Sequence, residues 1–384
     1  MLTVLLLALT LTDGLLPAAV ARAVAKTAET QTPASPPIVA RPQPRQEFQP
    51  ALRFVWREHP SLRAGDVFRL DFSAKFQYDG RDPGDDPIDF QTWEVHRMRV
   101  GIEGELFQHI QYSVERELSE REINDPAKAS TKTPWKDVYV EANYTDMAQV
   151  RVGKFKVPFG LDQTSGESDL DFVYRSLGGS YLSPGRDVGA MVHGRFFGRG
   201  LNYWVGGFRQ DGENSRTGKI ADADPTIAAK IAGADTTIAA RVTVLPFAAL
   251  ENAGLGVAEV GGSYAVSELS DQSLRPNGLR ARTVMSQYTF FEPIDARRAF
   301  PCFDEPMFVK GQRRRFGVDV DWTVGRFASR AEYMFVGDTR DRQGLGDETL
   351  SDVRGRAWYV LGSWVLTGEN KTRPVDPRRN GVGR

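Results

Sequence analysis

The chain alternates apolar and polar residues in segment after segment, and this pattern constrains the fold more than any other feature. In residues 67–78, VFRLDFSAKFQY, the side chains of Phe68, Phe72 and Phe76 share one face, while Asp71 and Lys75 share the other. Side chains alternate across a β-strand, so such a segment predicts a strand with one apolar and one highly charged face.

Segments of this kind recur along the chain, and none shows a helical period that outweighs the strand pattern. They predict twelve strands, near 67–78, 92–102, 106–118, 135–143, 148–157, 187–197, 201–210, 237–246, 255–267, 313–323, 326–337 and 355–368.

The connections between these strands alternate in length. From the first strand onward they run long, short, long, short, as in DGRDPGDDPIDF followed by EGE. Strands of about ten residues with polar-in, apolar-out alternation, long loops on one side and tight turns on the other are typical of a transmembrane antiparallel β-barrel. A soluble β-sandwich also alternates, but it does not account for the charged strand faces or the loop asymmetry.

Composition narrows the alternatives. The formal net charge is −1, so no overall basic field points to nucleic acid. The single cysteine, Cys302, excludes an internal disulfide, and we expect it to be incidental.

The apolar run Leu2–Leu11, followed by small residues, predicts a signal peptide over 1–25, although no Lys or Arg precedes it. Residues 26–63 are Pro-rich and predict a flexible or extended lead-in.

Several segments resemble the phosphate-selective porin O and P family. The most specific are GKFKVPFG (153–160) and PGRDVGAMVHGR (184–195), and the likeness runs from about residue 55 to 368. The resemblance implies a 16-stranded, trimeric barrel in the Gram-negative outer membrane, with a third long loop folded into the lumen as a constriction. Here that loop is 158–186, within a barrel region of 64–368.

The C-terminus departs from the family pattern. After about twelve strands the chain ends in a polar tail, 369–384, where the family continues with four more strands and a terminal aromatic residue. We therefore expect a truncated chain, from a fragment or a frameshift; a smaller barrel that closes differently stays as the alternative.

Odd and even positions of a strand face opposite sides, and this parity assigns candidate residues to the lumen. Arginine on the lipid face at mid-depth would cost about 2–4 kcal/mol, so the face that carries arginines is placed inside. The predicted pore-lining and anion-path residues are Arg97, Arg99, Arg151, Arg175, Arg186, Arg195, Arg241, Arg315 and Arg330. The alternative is that each arginine only pairs with a wall carboxylate; the candidates are Asp137, Glu141, Asp319, Asp321 and Glu332. Lys154 and Lys156 share a face with Val152 and are predicted to be cations at the rim.

The third loop is acidic, which weakens the expectation of phosphate preference; its carboxylates are Asp162, Glu167, Asp169 and Asp171. Asp169 and Asp171 flank Leu170 and can in principle bind Ca²⁺, but a solvated acidic loop explains them as well. The four histidines lack metal spacing, and no enzyme motif such as a P-loop occurs.

These observations predict a passive outer-membrane porin for small anions such as phosphate, with no cofactor and no enzymatic activity. The expected partners are small anions, outer-membrane lipid and, if the chain is full length, two further copies in a homotrimer. Two alternatives stay open: a non-functional remnant of such a porin, and a secreted soluble β-domain that binds glycans.

Overall fold

The computed structural model describes residues 51–56, 59–80, 93–119, 134–167, 170–172, 174–214, 236–247, 255–269, 281–282, 289–291, 311–342 and 348–371. The predicted signal peptide, Asp169 and Cys302 lie outside these ranges, as do most of the Pro-rich lead-in and of the polar tail.

Strands dominate the described residues. They are β1 Arg53–Trp56, β2 Pro60–Ala64, β3 Phe68–Gly80, β4 Trp93–Leu106, β5 Ile110–Glu117, β6 Trp135–Ala142, β7 Gln149–Lys156, β8 Arg186–Phe196, β9 Leu201–Phe208, β10 Thr236–Val244, β11 Val257–Leu269, β12 Ala281–Arg282, β13 Thr289–Phe291, β14 Gly311–Val324, β15 Phe327–Arg340 and β16 Leu350–Trp364. Two short helices, α1 Leu161–Thr164 and α2 Leu177–Tyr181, and a 3₁₀ turn, Phe197–Arg199, complete the list.

Fourteen strands form one antiparallel sheet in which each strand pairs with its neighbour in the chain. The exception is the small β12–β13 hairpin, which forms a sheet of its own, so β11 pairs directly with β14. This meander confirms the all-β fold, and all twelve predicted strands are present within a few residues of their expected bounds.

The sheet starts earlier than predicted. Residues 53–56 and 60–64, nearly all of them assigned from sequence to the lead-in at 26–63, form the antiparallel pair β1–β2, and β2 pairs with β3. Both strands are only four or five residues long and include Pro60, so the alternation that marks the later strands cannot develop in them.

The turn between β4 and β5 also differs from its prediction. The residues EGE (103–105) lie inside β4, and the chain reverses at Phe107 and Gln108, which both adopt positive φ. Position 104 requires glycine although it lies inside the strand, because a neighbouring backbone passes close to it. An ideal Cβ there would lie 1.9 Å from the carbonyl oxygen of Arg69. A glycine inside a strand often marks such a close approach.

A β-bulge interrupts the pairing of β3 with β4. Gln77 pairs with Arg97 and Tyr78 pairs with Val95, so His96 is the extra residue. Strict alternation would place His96 on the outward face with Met98, and the bulge overturns that expectation. The His96 ring instead lies 3.4 Å from the carboxylate of Asp79, on the inner side of β3. A bulge reverses the parity of the residues beyond it, which a strict period of two cannot foresee.

No helix among the described residues is both long and apolar enough to cross a membrane.

Candidate functional site

The two faces of the sheet have opposite chemistry. On β14, Phe316 and Trp322 are 46% and 43% exposed, whereas Arg313 and Arg315 are 0% and 1% exposed. On β11 and β15 the buried side chains likewise include the polar Ser267, Arg330 and Glu332, and Tyr264 and Tyr333 are exposed, although the apolar Met334 and Val336 are also buried. A soluble protein places its apolar side chains inside, so this inverted order is the arrangement of a sheet whose outer face meets lipid.

The inner face is covered by the connection between β7 and β8, residues 157–185, which we call the inner loop. The apolar residues at its start are almost completely buried: Val157 and Phe159 have no exposed surface and Leu161 has 1%, whereas Phe172 further along is 65% exposed. With Leu182, Val157 and Phe159 pack beside inner side chains such as Phe155 in one apolar cluster. Burying a side chain of this size contributes about 1.5–3 kcal/mol, so the cluster holds the loop against the sheet.

One end of the inner loop is attached to β11 and β15. The carboxylate of Glu332 accepts the backbone N–H groups of Leu161 and Asp162 at 2.9 and 3.1 Å. The Ser263 hydroxyl accepts the N–H of Gly160 at 3.1 Å. Glu332 was predicted to pair with an arginine; instead it satisfies free N–H groups at the start of α1, where a negative charge is favourable.

The other side of the loop reaches β3 and β4. Arg99 Nη1 donates to Glu167 Oε2 at 2.6 Å, and the Tyr174 hydroxyl donates to Asp79. The loop therefore contacts strands that are distant in the order of the sheet, and it lies over the inner face. That this segment constricts a lumen stays a prediction.

The predicted arginines on β4 meet at the inner loop. Arg97 Nε lies 3.3 Å from Glu167, and its Nη1 donates to Gln77 at 2.9 Å. Arg99 is 2% exposed, and its Nε donates to Glu117 at 2.6 Å. Both side chains lie on the inner side of the sheet, beside the inner loop; a role in lining a pore stays a prediction.

Four further predicted arginines hold wall carboxylates. The pairs are Arg151 with Glu141 at 2.5 Å, Arg186 with Asp137 at 2.9 Å, Arg241 with Asp319 at 2.6 Å and Arg330 with Asp321 at 3.1 Å. The alternative of simple wall pairing, for which these carboxylates were the candidates, therefore describes the contacts of all four. Arg241 is bidentate, since its Nη2 also donates to Asp319 at 2.8 Å.

The remaining three arginines differ from one another. Arg175, in the inner loop, donates to the carbonyl oxygens of Asp162 and Ser165. Arg315 donates to the Leu182 carbonyl at 2.9 Å and to Asp211 at 3.0 Å. Arg195 lies next to the short turn at 197–200, where it pairs with the exposed Asp146. The structure thus places Arg195 away from the loop and the other two against it.

The two lysines predicted at the rim take different positions. Lys154 Nζ donates to the Trp135 carbonyl at 2.8 Å and lies 3.5 Å from Glu213, at the long-loop end. Lys156 differs from its prediction, because its Nζ donates to the carbonyl oxygens of Thr164 and Ser165 in the inner loop, at 3.3 and 2.6 Å. It is the last residue of β7, where the chain leaves the ladder and strand parity no longer fixes direction.

Sequence reasoning missed one ionic cluster at the inner loop. Arg313 is completely buried and donates to Asp338 at 2.6 Å and to Asp211. Arg313 has the same parity as Arg315, so the alternation of β14 contained the signal for it. Asp211 follows β9 in a connection, where no period exists to assign its direction.

Charge is distributed unevenly over the inner face. Glu167 interacts electrostatically with five cations, Arg97, Arg99, Lys156, Arg175 and Arg186. Burial alone would raise the pKa of the Glu167 carboxyl, but Arg99, Arg97 and Arg175 outweigh burial and hold that pKa well below its usual range. In two rows of residues that cross β11, β14 and β15 the balance is reversed. These adjacent rows carry Glu259, Asp319, Asp321 and Glu332, against which Arg241 and Arg330 lie.

A cavity of about 520 Å³ adjoins the cationic side of the inner loop. Its charged lining comprises both signs, contributed by Lys75, Glu103, Glu115, Asp137, Lys156, Glu167 and Arg186. This volume accommodates a small hydrated ion, and the mixed lining provides donors and acceptors for its water shell.

A sequence model of the family described as phosphate-selective porin O and P matches residues 68–377. The chain belongs to this family. The match covers most of the sequence and includes the inner loop and the charged strands around it.

Membership of a porin family agrees with a sheet whose exposed face is apolar and whose buried face is charged. Together they support a channel of the Gram-negative outer membrane, and they indicate a channel rather than an enzyme.

Solved porin structures show a loose likeness to the chain. OccK9 (OpdG) of Pseudomonas aeruginosa is 12% identical, with 76% of this chain and 92% of that chain covered and a TM-score of 0.18. A BenF-like porin from Pseudomonas fluorescens Pf-5 is 9% identical, with 77% and 97% covered and a TM-score of 0.22. No curated protein matches the sequence.

Metal binding has no support in the described part of the porin, where no three His, Cys, Asp or Glu side chains come together as a metal site. Asp171, one of the two candidate Ca²⁺ ligands, is exposed, and it accepts from the Ser363 hydroxyl at 3.2 Å and from Lys371.

Proposed function

We propose that this porin is a passive diffusion channel that prefers small anions, phosphate among them. The observation that carries the proposal is the group of five cations around Glu167, the carboxylate of the inner loop that they share. A channel selects by charged rings at its narrow part, and it must bind the ion weakly enough to release it.

Two of these cations, Arg175 and Lys156, donate to backbone carbonyl oxygens of the inner loop, which orient the two side chains. Arg97 and Arg99 share Glu167, which binds both at once. The guanidinium fork suits phosphate oxygens, while the ammonium acts as a point charge.

The carboxylates on β11, β14 and β15 support a path along the cationic side. Asp319 and Asp321 are already paired with arginines, and Glu332 is occupied by the inner loop. The arginines of these rows are therefore held by carboxylates, and an anion that crosses the inner loop is attracted by the opposite cluster. The carboxylates that line the cavity moderate the attraction, which favours passage over tight binding.

The test is the reversal potential of the full-length protein in a planar bilayer under a KCl gradient. We expect a potential of the sign that chloride permeation gives, and a lower chloride conductance when inorganic phosphate is added. A reversal potential of the opposite sign would overturn the anion preference while leaving the channel function intact.

Matched substitutions make the test specific to the inner loop. Arg175→Gln removes a cation that faces the loop carbonyls, and we expect it to reduce the anion preference. Arg326→Gln removes the same charge at an exposed turn between β14 and β15 and serves as the control. Equal shifts in the two variants would show that the general field of the protein, and not the loop, sets the selectivity.

Export and assembly are part of the proposal. We propose that residues 1–25 direct export and that three copies assemble, both on the strength of the family resemblance and, for export, of the apolar run Leu2–Leu11. N-terminal sequencing of protein purified from outer membranes tests the first, and light scattering of the detergent-solubilised protein tests the second.

A further inference from the structure

The outward face of the sheet carries three arginines at its long-loop end. Arg314 on β14 and Arg354 and Arg356 on β16 are all exposed. Arginine is expensive on a lipid-facing surface at mid-depth and nearly free at its edge, so their level in the membrane decides what they can do.

The strand register gives that level. Trp364, at the short-turn end of β16, pairs with Phe327, and the two rings stack at 5.6 Å. Arg356 lies eight residues further along the same strand. At about 3.3 Å per residue and a tilt of about 40°, Arg356 stands roughly 20 Å above the Trp364 row. Arg354 stands about 5 Å higher, at the border of an apolar band that is about 25 Å tall.

The register also brings two of the arginines to either side of a glycine. Arg314 pairs with Gly337, and Gly337 pairs with Arg354. Two strand spacings separate their Cα atoms by about 10 Å. Gly337 has no side chain to fill the gap, and a Cβ built there would lie 3.3 Å from the Phe335 ring, which forms the floor. The result is a notch with an aromatic floor and a guanidinium on each side.

The neighbouring groups orient one of the three. Gln312 Oε1 accepts from Arg314 Nη2 at 2.7 Å, and Gln312 Nε2 donates to Glu268 at 2.6 Å. Asp341, Glu348 and Asp352 are further exposed acids in the described part of this corner. Other outward cations at the long-loop end, Arg116 and Arg209, lie on β5 and directly after β9, away from the notch.

We propose that Arg314, Arg354 and Arg356 form a binding site for the phosphate groups of a lipid headgroup in the outer leaflet. The guanidinium groups bind phosphate oxygens bidentately, and the Phe335 ring contacts the apolar part of the lipid below its headgroup. Charge complementarity and height both fit this occupant. The site depends on the outer-membrane position of the chain, and it is independent of the anion preference of the lumen.

The experiment measures lipid binding to the full chain in detergent by native mass spectrometry. The probes are lipid A with its two phosphate groups and the same glycolipid after the phosphates have been removed. We expect the wild type to bind the phosphorylated form preferentially. Removing three arginines, as R314Q/R354Q/R356Q, should weaken that binding on the order of 100-fold, given a contribution of roughly 1 kcal/mol per basic residue near a phosphorylated surface.

A matched control removes outward cations elsewhere at the same end. R116Q/R209Q should bind lipid A as the wild type does, because neither residue borders the notch. The charge-conserving R314K/R354K/R356K should retain much of the affinity. Equal binding of lipid A by the wild type and the triple Gln variant, or equal binding of the two lipid forms, would overturn the proposal.

Two further outcomes are decisive. If the triple Gln variant loses the gel mobility of the folded protein, the single R354Q variant replaces it, with an expected loss of roughly five-fold; no loss would overturn the proposal. If the triple Gln variant changes the mass of the oligomer in detergent and leaves lipid binding unchanged, the patch is a contact between copies, and the lipid site is wrong.

Discussion

Glu332 on β15 accepts the backbone N–H of Leu161 at 2.9 Å, although 171 residues separate the two along the chain. The same carboxylate accepts the N–H of Asp162, so one side chain attaches the start of α1 to β15. Each hydrogen bond contributes about 0.5–1.5 kcal/mol, and two of them to one buried side chain make Glu332 the principal polar attachment of this end of the inner loop.

Removing this attachment should loosen the inner loop. We expect Glu332→Ala to give a larger and noisier single-channel conductance than the wild type, and Glu332→Gln, which keeps one acceptor oxygen, an intermediate value. The measurement is single-channel recording in planar bilayers. Glu268→Ala removes a carboxylate from the outward face of β11 and should leave the conductance unchanged. Identical conductance histograms for Glu332→Ala and the wild type would show that the apolar cluster alone holds the loop.

Neutralising Glu167 should increase anion preference. Glu167→Gln leaves Arg97 and Arg99 without the carboxylate they share in the inner loop, so the net positive charge beside the cavity rises. We expect the reversal potential in a KCl gradient to move in the direction of chloride permeation. Asp171→Asn makes the same charge change in an exposed part of the loop and should move the potential less. A larger shift from Asp171→Asn would contradict the role given to Glu167.

The pH dependence of this effect follows from the lowered pKa of Glu167. Because Arg99, Arg97 and Arg175 hold that pKa well below the ordinary value of 4.5, the carboxylate stays ionised as the pH falls past 4.5. Its contribution to stability is therefore fully present above that pH and is lost only at lower pH, as the pH falls through the depressed folded-state value.

Thermal unfolding of the wild type and of Glu167→Gln, followed by gel mobility after heating, tests this expectation. The difference in midpoint between the two proteins should stay constant from pH 7 to about pH 4.5 and shrink in stronger acid. A difference that disappears between pH 6 and 5 would mean that Glu167 titrates near or above its ordinary range.

The alternation of apolar and polar residues was sufficient to predict the strands and the direction of side chains within their regular parts. All twelve predicted strands are present, and Arg99, Arg151 and Arg241 face inward because alternation continues without interruption through their positions. Parity failed where the ladder is irregular. His96 occupies a bulge, and Lys156 ends its strand, so each lies on a side that counting does not give.

The sequence does not predict the contacts that join residues far apart in the chain. Nothing near Glu332 in the chain indicates that its partners are N–H groups of the inner loop, and nothing near Asp211 indicates Arg313 and Arg315. Such pairs depend on how the sheet brings distant strands together, which a local pattern does not encode.

Gly104 gives a direct test of the corrected turn between β4 and β5. A Cβ at this position would lie 1.9 Å from the Arg69 carbonyl oxygen and 2.6 Å from the Tyr112 hydroxyl, which itself donates to that carbonyl at 3.0 Å. Overpacking of this kind costs about 1–3 kcal/mol. We therefore expect Gly104→Ala to lower the thermal midpoint and the yield of folded protein, as measured by gel mobility after heating.

The matched control is Gly362→Ala on β16, where an added Cβ would meet no heavy atom within 4 Å. Alanine there should leave stability unchanged or raise it slightly, because glycine in a strand loses more conformational entropy on folding than alanine does. If Gly104 were instead the turn residue that the EGE sequence suggests, Gly104→Ala would lie in open space and behave like Gly362→Ala. Equal midpoints for the two variants would thus contradict the strand assignment of residues 103–105.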